Sequence, residues 1–373
     1  HYNNSPIPMS KIAYPILFIS LLLQAVWVEA AAIYPINKAS ILVGSSFDVK
    51  VEFDQEYKLE DLDIQLNNAP IKAQIKSQPI YIANESGKGS SLIYRDVQLA
   101  KPGQYSLIAK GGQESIQVTW DIYASGPRKV KNIILFVGDG MTIANRTSAR
   151  VLSKGITEGK YQGKLSFDDM PNMALIGTSG SDSLITDSAN SMSAYTTGHK
   201  TAVNAMGVYV SRAADNLSHP KVETISELIK RKTKMSVGIV SDAELQDATP
   251  GAMVAHTRRR ADKPYIADQL FASGAEVILG GGSAYFYPQS TKGSKRKDDK
   301  NLVSQFNSSG YSIALNKQEL LAAGNAKETR KLFGVFHPDN MDGSLDRLFL
   351  KKNTVAQYPD QPYFTEKTQA SIN

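Results

Sequence analysis

Asp187 and Ser188 set a carboxylate beside a hydroxyl inside "LITDSANSMSAYTTGHK", residues 184–200. The pair follows a short apolar lead-in and opens a run of small residues, the pattern of a tightly packed helix beginning at the pair. At a helix start, unpaired backbone N–H groups and the dipole favour an anion, including a phosphoryl group or an ionised serine oxygen. An Asp or Ser there also serves as an ordinary N-cap, and alone the pair says no more than that. A second candidate is Asp139, held between Gly138 and Gly140 directly after the apolar run "NIILFV". A carboxylate in that place suits a hard cation or zinc, although Asp between glycines is also a common turn residue. The chain has no cysteine, so thiol nucleophiles, thiolate metal sites and disulfides are excluded. Any chemistry must rest on oxygen and imidazole.

The elements that must carry these residues change character along the chain. In residues 34–125, Phe47, Val49, Val51 and Phe53 interleave with Asp48, Lys50, Glu52 and Asp54, which is period-two strand patterning. Tyr105, Leu107 and Ala109, then Ile116, Val118, Trp120 and Ile122, flank Gly111-Gly112 and predict a hairpin. Some ninety residues of such strands without a long helix predict a small all-β, immunoglobulin-like sandwich. Residues 126–131, "GPRKVK", read as a linker. Beyond them apolar runs alternate with helices. "NIILFVGDG" (132–140), "MSVGIVSDA" (235–243) and "AEVILGGG" (275–282) read as buried strands, and "VETISELIKRK" as a helix with Ile225, Leu228 and Ile229 on one face. That order predicts an α/β domain over 132–373: a mostly parallel sheet flanked by helices, with ligands beyond the carboxyl ends of the strands. No G-x-G-x-x-G or P-loop motif appears, which removes support for a dinucleotide or P-loop nucleotide site.

A chain of 373 residues with 42% apolar content can bury more than one core. The formal net charge is +6, but the basic residues are scattered, which argues for solvated faces rather than a dedicated nucleic-acid surface. The densest run, "KGSKRKDDK" at 292–300, is expected to be a flexible exposed loop. From Met9, one lysine, an apolar core to about Val26 and the exit Val28-Glu29-Ala30 read as a secretory signal within residues 1–30. A periplasmic or secreted protein is therefore expected, with no membrane span after cleavage. The residues before Met9 look like upstream translation.

Four stretches, "NIILFVGDGM", "TDSANSMSAYTTGHKT", "SDAELQDATPGAMVAH" and "AEVILGGG", stand in the order and approximate spacing of the alkaline phosphatases. From about residue 131 onward the chain resembles that family in its bacterial form. The resemblance implies a phosphate monoester hydrolase, usually a homodimer, with two zinc ions and one magnesium ion at the edge of the sheet. It implies that Ser188 is the nucleophile that becomes phosphorylated and that Asp139 bridges the second zinc and the magnesium. Thr249 matches a hydroxyl ligand of magnesium, and Asp247 a carboxylate that holds magnesium-bound water. Arg260 falls where the family keeps its phosphate-clamping arginine, oriented by Asp187; Arg258 and Arg259 are the alternatives in the same run. The implied reaction is in-line transfer to Ser188 followed by hydrolysis of the phosphoserine, on phosphate monoesters and with release of inorganic phosphate.

The remaining ligands of the family, a glutamate and two Asp/His pairings with a final histidine, have no match in this sequence. Its five histidines are His1, His199, His219, His256 and His337, and none stands in such a pairing. His199 and His256, inside matched motifs, are expected to be structural or surface residues. The zinc site is thus incomplete, and the chain as written is expected to be truncated, inactive and short of strands of its sheet. Two other readings keep parts of the pattern: a phosphodiesterase or sulfatase of the same superfamily, and a noncatalytic envelope binding protein with a degenerate phosphatase domain.

Overall fold

A computed structural model of the protein describes residues 31–372. The expected leader within residues 1–30 lies outside the described residues.

The first nine strands are β1 (Ala32–Tyr34), β2 (Ser40–Leu42), β3 (Phe47–Glu52), β4 (Leu62–Leu66), β5 (Ala69–Pro70), β6 (Pro79–Ile82), β7 (Ser91–Val97), β8 (Gly103–Gly111) and β9 (Glu114–Tyr123). They form two sheets, ordered β1-β3-β7-β6 and β2-β9-β8-β4-β5. One apolar core draws on both: Val49, Val51, Leu92 and Tyr94 from the first, Leu66, Leu107, Val118 and Trp120 from the second. The predicted hairpin is the β8–β9 pair, in register from Gly103↔Ile122 to Gly111↔Glu114. Gly112 closes it at φ 55°, a left-handed conformation that glycine adopts without a Cβ clash. Trp120 anchors the core, with Nε1 donating to the Pro35 carbonyl at 3.0 Å and its ring set edge-on to Phe47.

The alternation in β3 is real, but its polar face does not meet solvent. All six residues Phe47–Glu52 are buried. Lys50 Nζ donates to Glu85 Oε1 at 2.8 Å and to Ser211 Oγ at 3.0 Å, and pairs with Glu52 at 3.1 Å. Glu52 accepts the Arg212 N–H at 3.0 Å, and Asp48 accepts the Lys221 N–H at 2.8 Å and pairs with Arg95. The second face of β3 is thus covered by residues 211–222 of the following α/β part. A buried charge is tolerated only when paired and hydrogen-bonded, and these are.

That part contains α1 (Ile143–Lys154), the short hairpin β10 (Ile156–Thr157) and β11 (Lys160–Tyr161), α2 (Ser188–Thr197), α3 (Ile225–Lys232), β12 (Gly238–Glu244) and α4 (Ala248–Gly251). Next come α5 (Lys263–Ala272), β13 (Val277–Gly281), α6 (Leu302–Ser308), β14 (Ser312–Ala314), α7 (Lys317–Asn325), β15 (Leu332–Val335) and α8 (Phe364–Ile372). The sheet runs β12-β13-β15-β14 with every pair parallel. Successive residues of a strand face opposite sides, and the sequence uses both. Ile278 and Phe333 enter a core with Met192 of α2, Leu270 of α5 and Phe306 of α6. Leu279 and Leu332 enter a second core with Leu320 of α7, against which Ala370 of α8 packs. This is the expected α/β order, with helices on both faces of a parallel sheet.

Three expectations are corrected. Residues 132–140 form no strand: Ile133 is 81% and Phe136 64% exposed, and the run has no ladder partner among the described residues. A segment apolar on both sides becomes a buried strand only with neighbours along its edges and cover on both faces, and here it has neither. In α3, Ile229 packs on the core as expected while Ile225 is exposed and Ser226 is buried instead. The run 292–300 is an exposed loop as expected except at Arg296. The Arg296 side chain is fully buried, pairing with Asp298 at 2.6 Å and Asp268 at 3.0 Å and donating to the Tyr285 carbonyl at 3.1 Å. Charge density reads as exposure only when no acid nearby neutralises it, and Asp268 comes from a distant helix. Among the described residues no helix is long and apolar enough to cross a membrane.

Candidate active site

Ser188 is the first residue of α2, and Asp187 is its N-cap. Asp187 Oδ1 accepts the Asn190 N–H at 3.1 Å while Asn190 Oδ1 accepts the Asp187 N–H at 3.0 Å, a reciprocal capping box that fixes the entry of the chain. Small residues allow close packing behind it: Ala189 is fully buried and Ser193 donates to the Ala205 carbonyl. The helix ends at Gly198, φ 77°, in the left-handed form usual after a C-terminus.

Three side chains converge ahead of the first turn of α2. The Ser188 hydroxyl donates to Asp139 Oδ1 at 3.2 Å, and the Thr249 hydroxyl donates to Asp139 Oδ2 at 2.8 Å. Thr249 sits in the short helix α4 directly after β12, so the sheet's carboxyl end delivers it, as expected for ligand-bearing loops. Asp139 reaches the same point although its segment is not a strand.

Beside this cluster, Arg260 spans two carboxylates. Its Nη1 donates to Asp187 Oδ2 at 3.3 Å and its Nη2 to Asp247 Oδ1 at 2.9 Å. Burial works against the Arg260 charge, but Asp247 and Asp187 outweigh it and its pKa is raised. Burial likewise pushes the Asp247 carboxyl up, while the Arg260 hydrogen bond and the Ala248 N–H pull harder, leaving it lowered. Of the three consecutive arginines, Arg260 is the one bonded to Asp187 and Asp247; Arg258 donates to the Val203 carbonyl at 3.0 Å. All six expected site residues therefore fall into two adjoining groups, joined through the Asp187-Ser188 and Asp247-Thr249 stretches.

Pattern reading missed Asn190 and Asn204. Asn190 had a signal, an Asp-x-x-Asn spacing that fits a capping box; Asn204, whose N–H donates to Asp187 Oδ2 at 3.3 Å, had none.

The histidines stand elsewhere. His199 Nδ1 meets the Tyr209 hydroxyl at 2.6 Å, and His219 Nδ1 accepts the Ser211 N–H at 3.0 Å; burial lowers each to about 4. His256 lies between Glu227, at 2.9 Å, and the Gly207 carbonyl, at 2.7 Å. Burial lowers its pKa, but Glu227 outweighs that and the net shift is upward. His337 Nε2 pairs with Thr354 Oγ1 at 2.8 Å. Among the described residues no three His, Asp or Glu side chains are grouped to hold a metal. The oxygens of Asp139 and Thr249 suit a hard cation such as magnesium. They do not make a zinc site, which calls for imidazole or more carboxylates around one point.

Residues 130–372 match the family model of alkaline phosphatases. Alkaline phosphatase H of Pseudomonas aeruginosa (strain UCBPP-PA14) is 34% identical over 239 residues, which cover 57% of this chain and 47% of that protein. The alkaline phosphatase of Escherichia coli (strain K12) is 34% identical over 239 residues, 57% and 48% of the two chains. That of Gadus morhua is 28% identical over 270 residues, 63% and 56%. The chain spans about half the length of the curated relatives it matches. Among solved structures, the alkaline phosphatase of Thermus thermophilus superposes with a TM-score of 0.49 at 24% identity, covering 61% of this chain and 43% of that one.

Proposed function

The chain belongs to the alkaline phosphatase family, and from that premise we propose that the whole protein hydrolyses phosphate monoesters through a phosphoserine on Ser188. The observation that carries this reading is the convergence of the Ser188 and Thr249 hydroxyls on the two oxygens of Asp139, with Arg260 alongside.

The residues divide the work. The start of α2 and the Arg260 guanidinium take the phosphoryl oxygens, two by the fork and the rest by backbone N–H groups. Asp187 and Asp247 hold that fork from behind, so it meets the ligand without reorganising. Asp139 Oδ1 holds the Ser188 proton. As the Oγ–P bond forms, that proton passes to Asp139 Oδ1, the ester P–O bond breaks in line and the departing alkoxide takes a proton from water. Water then attacks the phosphoserine, releasing inorganic phosphate and restoring the serine.

Members of the family are metal-dependent, and Asp139 and Thr249 are the residues that would hold a magnesium ion; when bound, it neutralises charge on the substrate dianion. Two zinc ions beside the magnesium complete the family's set in the whole protein, but the described residues of this chain do not fit zinc. The proposal extends to a periplasmic or secreted homodimer, with residues 34–125 as an immunoglobulin-like domain and 126–131 as its linker.

The test uses the full-length protein with p-nitrophenyl phosphate and bis-p-nitrophenyl phosphate. Preferential turnover of the monoester, with acid-trapped phosphate on Ser188, is expected. Monoester turnover that survives Ser188→Ala unchanged would overturn the reading, and turnover of the diester alone would move it to a phosphodiesterase.

A further inference from the structure

The two groups that frame the candidate site, Asp187 and Arg260, are tied by one residue that no motif marks. Asn204 lies at φ 68°, in the left-handed region that glycine and asparagine tolerate best. In that conformation its N–H donates to Asp187 Oδ2 at 3.3 Å, and its carbonyl accepts the Arg260 N–H at 2.8 Å. The same Asp187 oxygen also accepts the Arg260 guanidinium, so main chain and side chain of Arg260 are gauged against one carboxylate.

The turn is pinned from its other side as well. The Val203 N–H donates to Asp182 Oδ1 at 3.0 Å, and the Val203 carbonyl accepts Arg258 Nη1 at 3.0 Å. Ala202, Ala205 and Met206 are buried, whereas Asn204 is exposed. Packing therefore does not dictate an asparagine at 204; the backbone conformation does.

We propose that Asn204 is a positioning residue, whose left-handed backbone sets the Asp187 carboxylate against the Arg260 guanidinium and thereby the affinity of the site for a phosphoryl group. The proposal rests on the phosphoryl-transfer reading of the Ser188 site. A rotated peptide at 204 would release Asp187 Oδ2 from the N–H and shift the Arg260 backbone together, so the fork would meet the phosphoryl oxygens at the wrong angle.

Three variants of the full-length protein separate backbone from side chain. Asn204→Gly keeps the left-handed region open, Asn204→Ala disfavours it, and Asn204→Val, being β-branched, disfavours it most. The KM for p-nitrophenyl phosphate and the inhibition constant of inorganic phosphate are expected to rise about tenfold or more in Asn204→Val and less in Asn204→Ala, with Asn204→Gly within about twofold of wild type. The turnover number should move less than KM. A second readout needs no activity: the side-chain NMR signals of Arg260, whose guanidinium rotates slowly while bridged, should sharpen or average in Asn204→Val and not in Asn204→Gly.

Unchanged phosphate affinity and unchanged Arg260 signals across the series would overturn the proposal. So would a glycine variant as impaired as the valine one, which would place the effect in the carboxamide. If Asn204→Val does not fold, the alanine and glycine variants carry the comparison. A wild-type protein that neither hydrolyses nor binds phosphate would refute the phosphatase reading, and the Arg260 signals would still decide whether Asn204 positions that side chain.

Discussion

Ser188 and Asp139 are 49 residues apart in sequence and share a hydrogen bond of 3.2 Å, with the hydroxyl as donor. The contact puts the first residue of a helix against the carboxylate that also takes the Thr249 hydroxyl, and it is the centre of the proposed chemistry.

Removing that hydroxyl tests the centre directly. Ser188→Ala in the full-length protein is expected to lower the turnover of p-nitrophenyl phosphate by about a thousandfold or more, as loss of a nucleophile does. The thermal midpoint should stay close to wild type, because the Asp187–Asn190 capping box is intact.

Arg260→Ala removes both bonds to Asp187 and Asp247 and leaves those acids facing each other. A charge-assisted pair contributes about 1.5–3 kcal/mol, so the inhibition constant of inorganic phosphate should rise by roughly ten- to a hundredfold. Arg260→Lys should recover only part of this, since an ammonium cannot span two carboxylates and a phosphoryl group as a fork does.

Thr249→Val keeps the volume of the side chain and deprives Asp139 Oδ2 of its donor. The magnesium concentration that half-activates the full-length protein should rise by about tenfold or more, the usual cost of disturbing a ligand or its support. Titration of activity with magnesium after chelation reads this out.

The buried charges of β3 make a stability prediction. Lys50→Met leaves Glu52 buried without its cation and Glu85 with only the longer Arg212 pair at 3.5 Å, and should cost about 3–5 kcal/mol, seen as a lower urea midpoint. Adding Glu85→Gln to Lys50→Met should return part of the loss, because the two acids then no longer face each other with only Arg212 to offset them.

Acid should loosen the protein in a defined window. His199 and His219 are both lowered from 6.5 to about 4 by burial. The unfolded chain therefore binds protons that the folded one refuses, and stability falls as pH drops from about 6.5 towards 4. His256 acts in the opposite sense and in another range: its raised pKa gives stability that is present below 6.5 and lost as pH rises through the folded value. Urea midpoints measured across pH should show both limbs, and His256→Gln should remove the upper one.

The site was legible wherever local chemistry is self-contained. Asp187 and Ser188 announce a helix start, and the structure adds the Asn190 half of the capping box. Strand period and glycine placement likewise foretold β8 and β9 about Gly112. What could not be read depends on distant partners. Asp48, Lys50 and Glu52 look like a solvent face until residues 211–222 cover them. Arg296 looks like part of a charged loop until Asp268 reaches it, and Asn204 gains its meaning from Arg260, far along the chain. Residues 132–140 show the reverse: apolar content predicts burial, but a strand also needs edges to join.

The covered face of β3 has a practical consequence for anyone preparing the protein. A cut between residues 126 and 131 would sever the peptide link between the two parts, and with no cysteine in the sequence no disulfide would rejoin them. Lys50 would nonetheless remain gripped by Ser211, and Asp48 by Lys221. Nicked material should elute as one particle from a sizing column and fall into two bands only when boiled in detergent, so an intact native peak is no proof of an intact chain.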